Sequence, residues 1–211
     1  MTMTATMPPR FARLLGALPD AITAAACLAV WIAPLAFGVG AVKTVVLMML
    51  MEFLLVHGTG FFTVVAFMDD MTKPMRLLAM GGLLLFYALF VGMFAWLFHA
   101  WWPVWVFLWL AIAKAAWIFS APRDRAGEMN RQMTAWAFSV AAYLAAVFAG
   151  LMLPMPRLGI HADLVPSLGL PGSGEWMERP HVAVASMVFY YLALAAFKYW
   201  RGGASSPTSL S

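Results

Sequence analysis

Residues 43–68 read KTVVLMMLMEFLLVHGTGFFTVVAFM and decide the fold class, because the run is long and apolar enough to cross a bilayer. About 20 apolar residues, at ~1.5 Å rise each, span a hydrocarbon core ~30 Å thick. The run nevertheless carries Glu52 and His57 well inside it. A carboxylate at that depth costs about 3 kcal/mol unless it faces the bundle interior or a cavity. Glu52 is therefore the first candidate functional residue.

The composition excludes a soluble domain. The chain is 64% hydrophobic and only 10% charged, whereas soluble domains carry about 25% charged residues. Its mean hydropathy is +0.85. The net charge of +4 does not indicate nucleic-acid binding, since Lys and Arg fall in short connections between apolar runs. The lone Cys27 excludes a disulfide within the chain. We expect no cofactor and no metal, and the bilayer as the chain's surroundings.

Six apolar runs predict an all-α, polytopic membrane helix bundle. Asp20 is predicted to cap the first helix, which lacks a cleavage site and is read as retained rather than as a signal peptide. Residues 1–201 are predicted to form one transmembrane domain, and residues 202–211 a disordered tail. The six predicted transmembrane helices cover about residues 21–37, 43–68, 74–99, 104–120, 132–153 and 180–200.

Basic residues predict the orientation, because they concentrate on the cytoplasmic side of membrane proteins. Only three lie on the side of the long loop that follows the fifth helix: Lys43, Arg157 and Arg179. Both termini are therefore predicted to be cytoplasmic, in the plasma (inner) membrane if the host is a bacterium. The nine basic residues of the opposite side are Arg10, Arg13, Lys73, Arg76, Arg123, Arg125, Arg131, Lys198 and Arg201.

The predicted fifth helix carries small residues at four-residue spacing, which lets helix backbones approach closely in lipid. We expect this helix to be among the most buried of the bundle. A seam for a homo-oligomer or a membrane-protein partner is the alternative. The first row is Ala137, Ala141, Ala145 and Ala149, and the second is Ala142, Ala146 and Gly150.

Glu52 shares its helix face with Val56, Thr59 and Thr63, since offsets of 4, 7 and 11 residues return near the start. This face predicts a polar track below the carboxylate. Lys114 lies at a matching depth in the predicted fourth helix. It is expected either to pair with Glu52 or to extend its ammonium toward the cytoplasmic surface.

The histidines give weaker signals. His57 is five positions from Glu52, so it points away and does not form the i, i+4 spacing of a zinc enzyme. We read it as a hydrogen-bonded interior residue. His99, Glu178 and His181 lie toward the outer side, where Asp163 or Glu175 could complete a metal site. No tight ligand spacing supports that site. A haem held by two histidines is disfavoured, because only His57 is deep.

Two segments resemble a family of uncharacterised multi-spanning bacterial integral membrane proteins. One is Trp31 followed by an acidic residue within the second helix. The other is the ERPHV start of the last helix, residues 178–182, with FYY at residues 189–191. The family has no assigned activity. The resemblance implies that Glu52 and the turn at residues 178–181 belong to one site.

Three functions fit these residues. The first is an accessory or assembly protein, which predicts a polar core sealed by packing. The second is a small transporter, or a proton- or ion-responsive permeation protein, which uses Glu52 and predicts a cavity beside it. The third is a membrane enzyme or cofactor binder, which predicts a pocket open to one side where polar groups converge. The sequence favours the first and assigns no catalytic residue.

Overall fold

The computed structural model describes residues 9–68, 70–119 and 125–204, without the side chains of residues 9, 12, 114–119, 125 and 202–204. All regular structure in these residues is helical. Two short 3-10 helices cover Pro34–Phe37 and Val165–Leu168. The described α-helices are α1 (Pro9–Ile32), α2 (Gly40–Phe67), α3 (Lys73–Leu97), α4 (Trp102–Phe119), α5 (Arg125–Met152), α6 (Glu175–Glu178) and α7 (Pro180–Ala204).

Five of the described helices are long and apolar enough to cross a membrane. The all-α class predicted from the sequence is thereby confirmed, and these five helices have the length and composition of membrane spans. The spans are Arg13–Ile32, Gly40–Phe67, Lys73–Leu97, Ala126–Met152 and Pro180–Arg201.

Helix α1 begins at Pro9, well before the predicted start at residue 21. The prediction that Asp20 caps this helix was wrong, because Asp20 lies in the middle of α1 and directly follows Pro19. A proline beside an acidic residue is typical of a helix start. Here the helix continues through both, and the Thr23 hydroxyl donates to the Pro19 carbonyl at 2.9 Å.

Helix α7 lies at the centre of the bundle and contacts α1, α5 and α2. Its residues 180–188 are all buried. This stretch combines valine with small residues such as Ala183, Ala185 and Ser186, so neighbouring helices can approach on every side. Gly150 of α5 is one such approach, since a Cβ there would meet Val182 at 3.2 Å and also collide with Ser186.

The expectation that the fifth helix is among the most buried was wrong. In its apolar 18-residue stretch, 22% of α5 is buried, against 72% of α7 and 50% of α2. The two rows of small residues behave differently. Ala146 and Gly150 of the second row are buried, whereas Ala137, Ala141 and Ala145 of the first row are exposed. One face of α5 is enough to pack against α7 and α2.

The loop between α5 and α7 folds over one end of the bundle. The Trp31 indole N–H donates to the Pro156 carbonyl at 3.1 Å, and the Gly159 N–H donates to the Trp31 carbonyl at 3.0 Å. A Cβ at position 159 would collide with the Ile32 carbonyl, so this close approach requires glycine. Ile160 and Leu168 are buried residues of the loop itself. The loop therefore covers the end of the bundle at which α1 ends and α7 begins.

Candidate functional site

A cavity of about 370 Å³ lies between α1, α2, α5 and α7. Its lining combines charged, hydroxyl, amide, aromatic and aliphatic side chains. The lining residues are Asp20, Glu52, Leu55, Val56, Thr59, Gln132, Ala135, Trp136, Ser139, Tyr190, Tyr191, Leu194 and Lys198.

Helical periodicity explains why these residues meet. The lining residues of α2, from Glu52 to Thr59, fall at positions i, i+3, i+4 and i+7. Those of α5, from Gln132 to Ser139, follow the same spacing. Residues at this spacing form one stripe along two turns of a helix. The cavity therefore extends along about two helical turns, or ~10 Å.

Glu52 lies at one end of this cavity and contacts two tyrosines of α7. The Tyr191 hydroxyl donates to Oε1 of Glu52, and the Tyr190 hydroxyl donates to Oε2 at 3.4 Å. Both tyrosines are buried. Tyr190 also packs edge-on against Tyr143, whose hydroxyl donates to the Met49 carbonyl at 3.0 Å. Glu52 therefore faces the interior of the bundle, between α2 and α7.

Asp20 and Lys198 form an ion pair at the other end, with 2.6 Å between Oδ2 and Nζ. The Asp20 side chain is 10% exposed and that of Lys198 is 47% exposed, so the pair extends from the bundle interior to its surface. Sequence reasoning missed this pair. It placed Asp20 at a helix cap and Lys198 among the orienting basic residues, and the two are far apart in the chain.

The polar track predicted on α2 is present in part. Thr59 lines the cavity, and Thr63 is buried one turn below it. The Thr63 hydroxyl donates to the Thr59 carbonyl at 2.7 Å and reaches Gln132 of α5 at 3.4 Å. Thr63 therefore joins α2 to α5 rather than lining the cavity.

Trp136 shapes the middle of the cavity. Its indole N–H donates to the Val56 carbonyl at 2.9 Å. The ring lies over Gly60, where a Cβ would come within 2.5 Å of the indole nitrogen. Gly60 thus makes room for Trp136.

His57 does not join the described site. His57 Nδ1 lies 2.8 Å from the carbonyl oxygen of Phe53 on its own helix, and its ring packs on Phe53 with 4.2 Å between ring centroids. The Lys114 side chain lies outside the described residues, so its expected pairing with Glu52 stays a prediction.

The outer candidates lie away from Glu52. His99 and Glu178 are exposed, and His181 is buried at the start of α7. Nine residues separate His181 from Tyr190, a rise of about 14 Å along the helix. The implied common site of Glu52 and residues 178–181 is not assembled at the cavity, because none of residues 178–181 lines it. Within the described residues, no group of three or more His, Cys, Asp and Glu side chains is placed to hold a metal ion.

Comparisons with known proteins leave the family open. No family model matches the chain, no curated protein matches it, and no solved structure matches it. The resemblance carried by Trp31 and residues 178–191 stays a prediction. The proposed function therefore rests on the geometry of the Glu52 cavity.

Proposed function

We propose that this chain is a small cation transporter or permeation protein in which Glu52 is the cation- or proton-binding group. The cavity beside Glu52 is the observation that carries this proposal. A sealed polar core favours an accessory role, whereas an open space of about 370 Å³ beside a deep carboxylate favours passage or binding of a small solute.

The charges of the lining support a cation rather than an anion. Asp20 is neutralised by Lys198. Among the ion pairs between described side chains, none includes Glu52. The tyrosine hydroxyls hydrogen-bond to the carboxylate but carry no charge. A proton or another cation would therefore complete the electrostatics of an ionised Glu52.

We further propose six spans with both termini in the cytoplasm, in the inner membrane if the host is a bacterium. The contact between Thr63 and Gln132 supports this number, since it brings the end of α2 beside the start of α5. Tyr87, in the middle of α3, packs against Gly58 of α2, so α3 runs back along α2. Helix α3 therefore ends on the opposite side of the bundle from the end of α2. The chain has to return before α5 begins. Helix α4 provides the return and would be the sixth span.

The test of transport is flux into proteoliposomes that contain the purified full chain. We expect wild-type protein to carry protons or monovalent cations when a potential is imposed, and Glu52→Gln to reduce the flux at least tenfold. Glutamine keeps the shape and most hydrogen bonds but cannot hold a cation by charge. Glu175→Gln is the matched control, because it makes the same change on exposed α6. Wild-type flux no greater than that of protein-free liposomes, or equal flux in Glu52→Gln, contradicts the proposal.

An accessory or assembly role remains the second candidate, favoured by one observation. Ala137, Ala141 and Ala145 form an exposed row of small residues on α5. Such rows let two membrane helices approach closely. The partner on this face would be a second copy of the chain or another membrane protein, and Ala149 continues the same row half-buried.

A further inference from the structure

The size of the Glu52 cavity points beyond a proton or a bare metal ion. Its volume of about 370 Å³ falls at the lower end of the range of small-molecule pockets, about 300–1,000 Å³. A dehydrated metal ion needs several oxygen ligands at about 2.0–2.6 Å. No group of three or more His, Cys, Asp and Glu side chains is placed to hold a metal ion in the part of the chain that the structure describes. A small organic ligand uses the space better.

The two ends of the cavity differ in charge. At the Lys198 end, the ammonium and the Asp20 carboxylate already balance each other at 2.6 Å. At the Glu52 end, the described partners of the carboxylate are two phenol hydroxyls. A ligand with one positive charge therefore gains most at Glu52 and little at the opposite end.

Hydrogen-bond acceptors at the Glu52 end suit a group with several N–H donors. An ammonium group offers three donors, which match carboxylate and hydroxyl oxygens. Glu52 supplies the carboxylate. Ser139 also lines the cavity, and its hydrogen is engaged with the Ala135 carbonyl at 2.9 Å, so its lone pairs are left to accept.

The rest of the lining suits an apolar body attached to that ammonium. Leu55, Val56 and Leu194 are aliphatic. The Trp136 indole N–H is occupied by the Val56 carbonyl, so what the ring adds to the cavity is apolar and π surface. Aromatic rings stabilise nearby ammonium groups through their quadrupole.

We propose that the cavity binds a small primary ammonium ion with a short apolar body, its nitrogen at Glu52 and its body along Val56, Leu194 and Trp136. This inference rests on the proposed cation-binding role of Glu52 and names the class of cation. Alkali cations and neutral molecules of the same shape are weaker ligands of this site.

The experiment is calorimetric titration of the full chain in nanodiscs with n-butylammonium chloride. We expect saturable binding of n-butylammonium, and no saturable binding of 1-butanol or of potassium chloride at the same ionic strength. Glu52→Gln should weaken n-butylammonium binding at least tenfold, whereas Glu175→Gln should leave it unchanged. Equal binding of 1-butanol, or unchanged binding by Glu52→Gln, overturns the inference.

A second variant tests the same site in case the Glu52→Gln protein fails to fold. Ala135→Leu adds volume to the cavity lining and leaves every charge in place, so it should weaken n-butylammonium binding at least threefold. Unchanged affinity of this variant for n-butylammonium overturns the placement of the ligand in this cavity. Flux that depends on Glu52 without any n-butylammonium binding overturns this inference and leaves transport standing. Binding of n-butylammonium without any flux overturns transport and leaves the ammonium site standing.

Discussion

At the scale of single residues, Glu52 is held in place by two tyrosines that contribute unequally. The Tyr190 hydroxyl lies 3.4 Å from Oε2, at the long limit of a hydrogen bond. The Tyr191 hydroxyl makes the closer contact, with Oε1. Tyr191 is therefore the main partner that orients the carboxylate.

We expect Tyr191→Phe to lower stability more than Tyr190→Phe. Loss of the Tyr191 hydroxyl leaves one oxygen of a deep carboxyl without its donor, which costs about 1–3 kcal/mol. Loss of the longer Tyr190 contact should cost under about 1 kcal/mol. Thermal unfolding of the two variants in the same detergent compares them, and each is the other's control because both substitutions remove one phenol oxygen from α7. A larger loss in Tyr190→Phe contradicts this assignment.

The residues of the site were predictable only where helical spacing connects them. Glu52 and Thr59 lie on one face of one helix, so the sequence predicted that they belong together. Tyr190 and Tyr191 were noted through a resemblance and not through chemistry. Asp20 and Lys198 lie near opposite ends of the sequence, so no local sequence pattern predicts that they pair.

At the scale of helices, α5 has two faces with different environments. Ala146 is buried against the core, whereas Ala141 is exposed. The spacing of small residues indicated close packing on both faces and could not decide which one turns inward. That choice depends on α7, whose own small residues, Ala183 to Ser186, make it the better centre of the bundle.

Leucine substitutions at Ala146 and at Ala141 distinguish the environments of the two faces of α5. Ala146→Leu should overpack the buried face and cost about 1–3 kcal/mol, seen as a lower melting temperature in detergent. Ala141→Leu should change stability by under about 0.5 kcal/mol, as surface substitutions do. If the exposed row is an association surface, Ala141→Leu should also reduce the oligomer measured by light scattering. An equal loss of stability in both variants would contradict the placement of the two faces.

At the scale of the whole molecule, the number of crossings decides where the termini lie. Six transmembrane helices were predicted, and five of the described helices are long and apolar enough to cross a membrane. Their ends differ from the predicted ends mostly at α1 and α5, which begin at Pro9 and Arg125 rather than at residues 21 and 132. Polar residues were read as boundaries, yet helices can continue beyond the apolar span into the interface.

The proposed six-span topology, with α4 as the sixth span, would place both termini in the cytoplasm. Alkaline phosphatase and a fluorescent protein, each fused after Ser211 and each inserted near Gly172, measure this directly. We expect the fluorescent reporter to be active only at the C-terminus and the phosphatase only in the loop. A phosphatase that is active after Ser211 would place the C-terminus outside the cytoplasm and contradict the proposed topology.

The contact between α1 and α7 has a consequence for biosynthesis. Helix α1 leaves the ribosome first, yet the residue that neutralises its buried Asp20 is Lys198, near the end of α7. At about 5–20 residues per second, translation of the intervening chain takes on the order of ten to thirty seconds. Until α7 is made, the Asp20 carboxylate lacks the lysine that neutralises it in the folded chain. A chain truncated before α7 would keep that carboxylate without this partner, and we expect it to be degraded faster than the full chain.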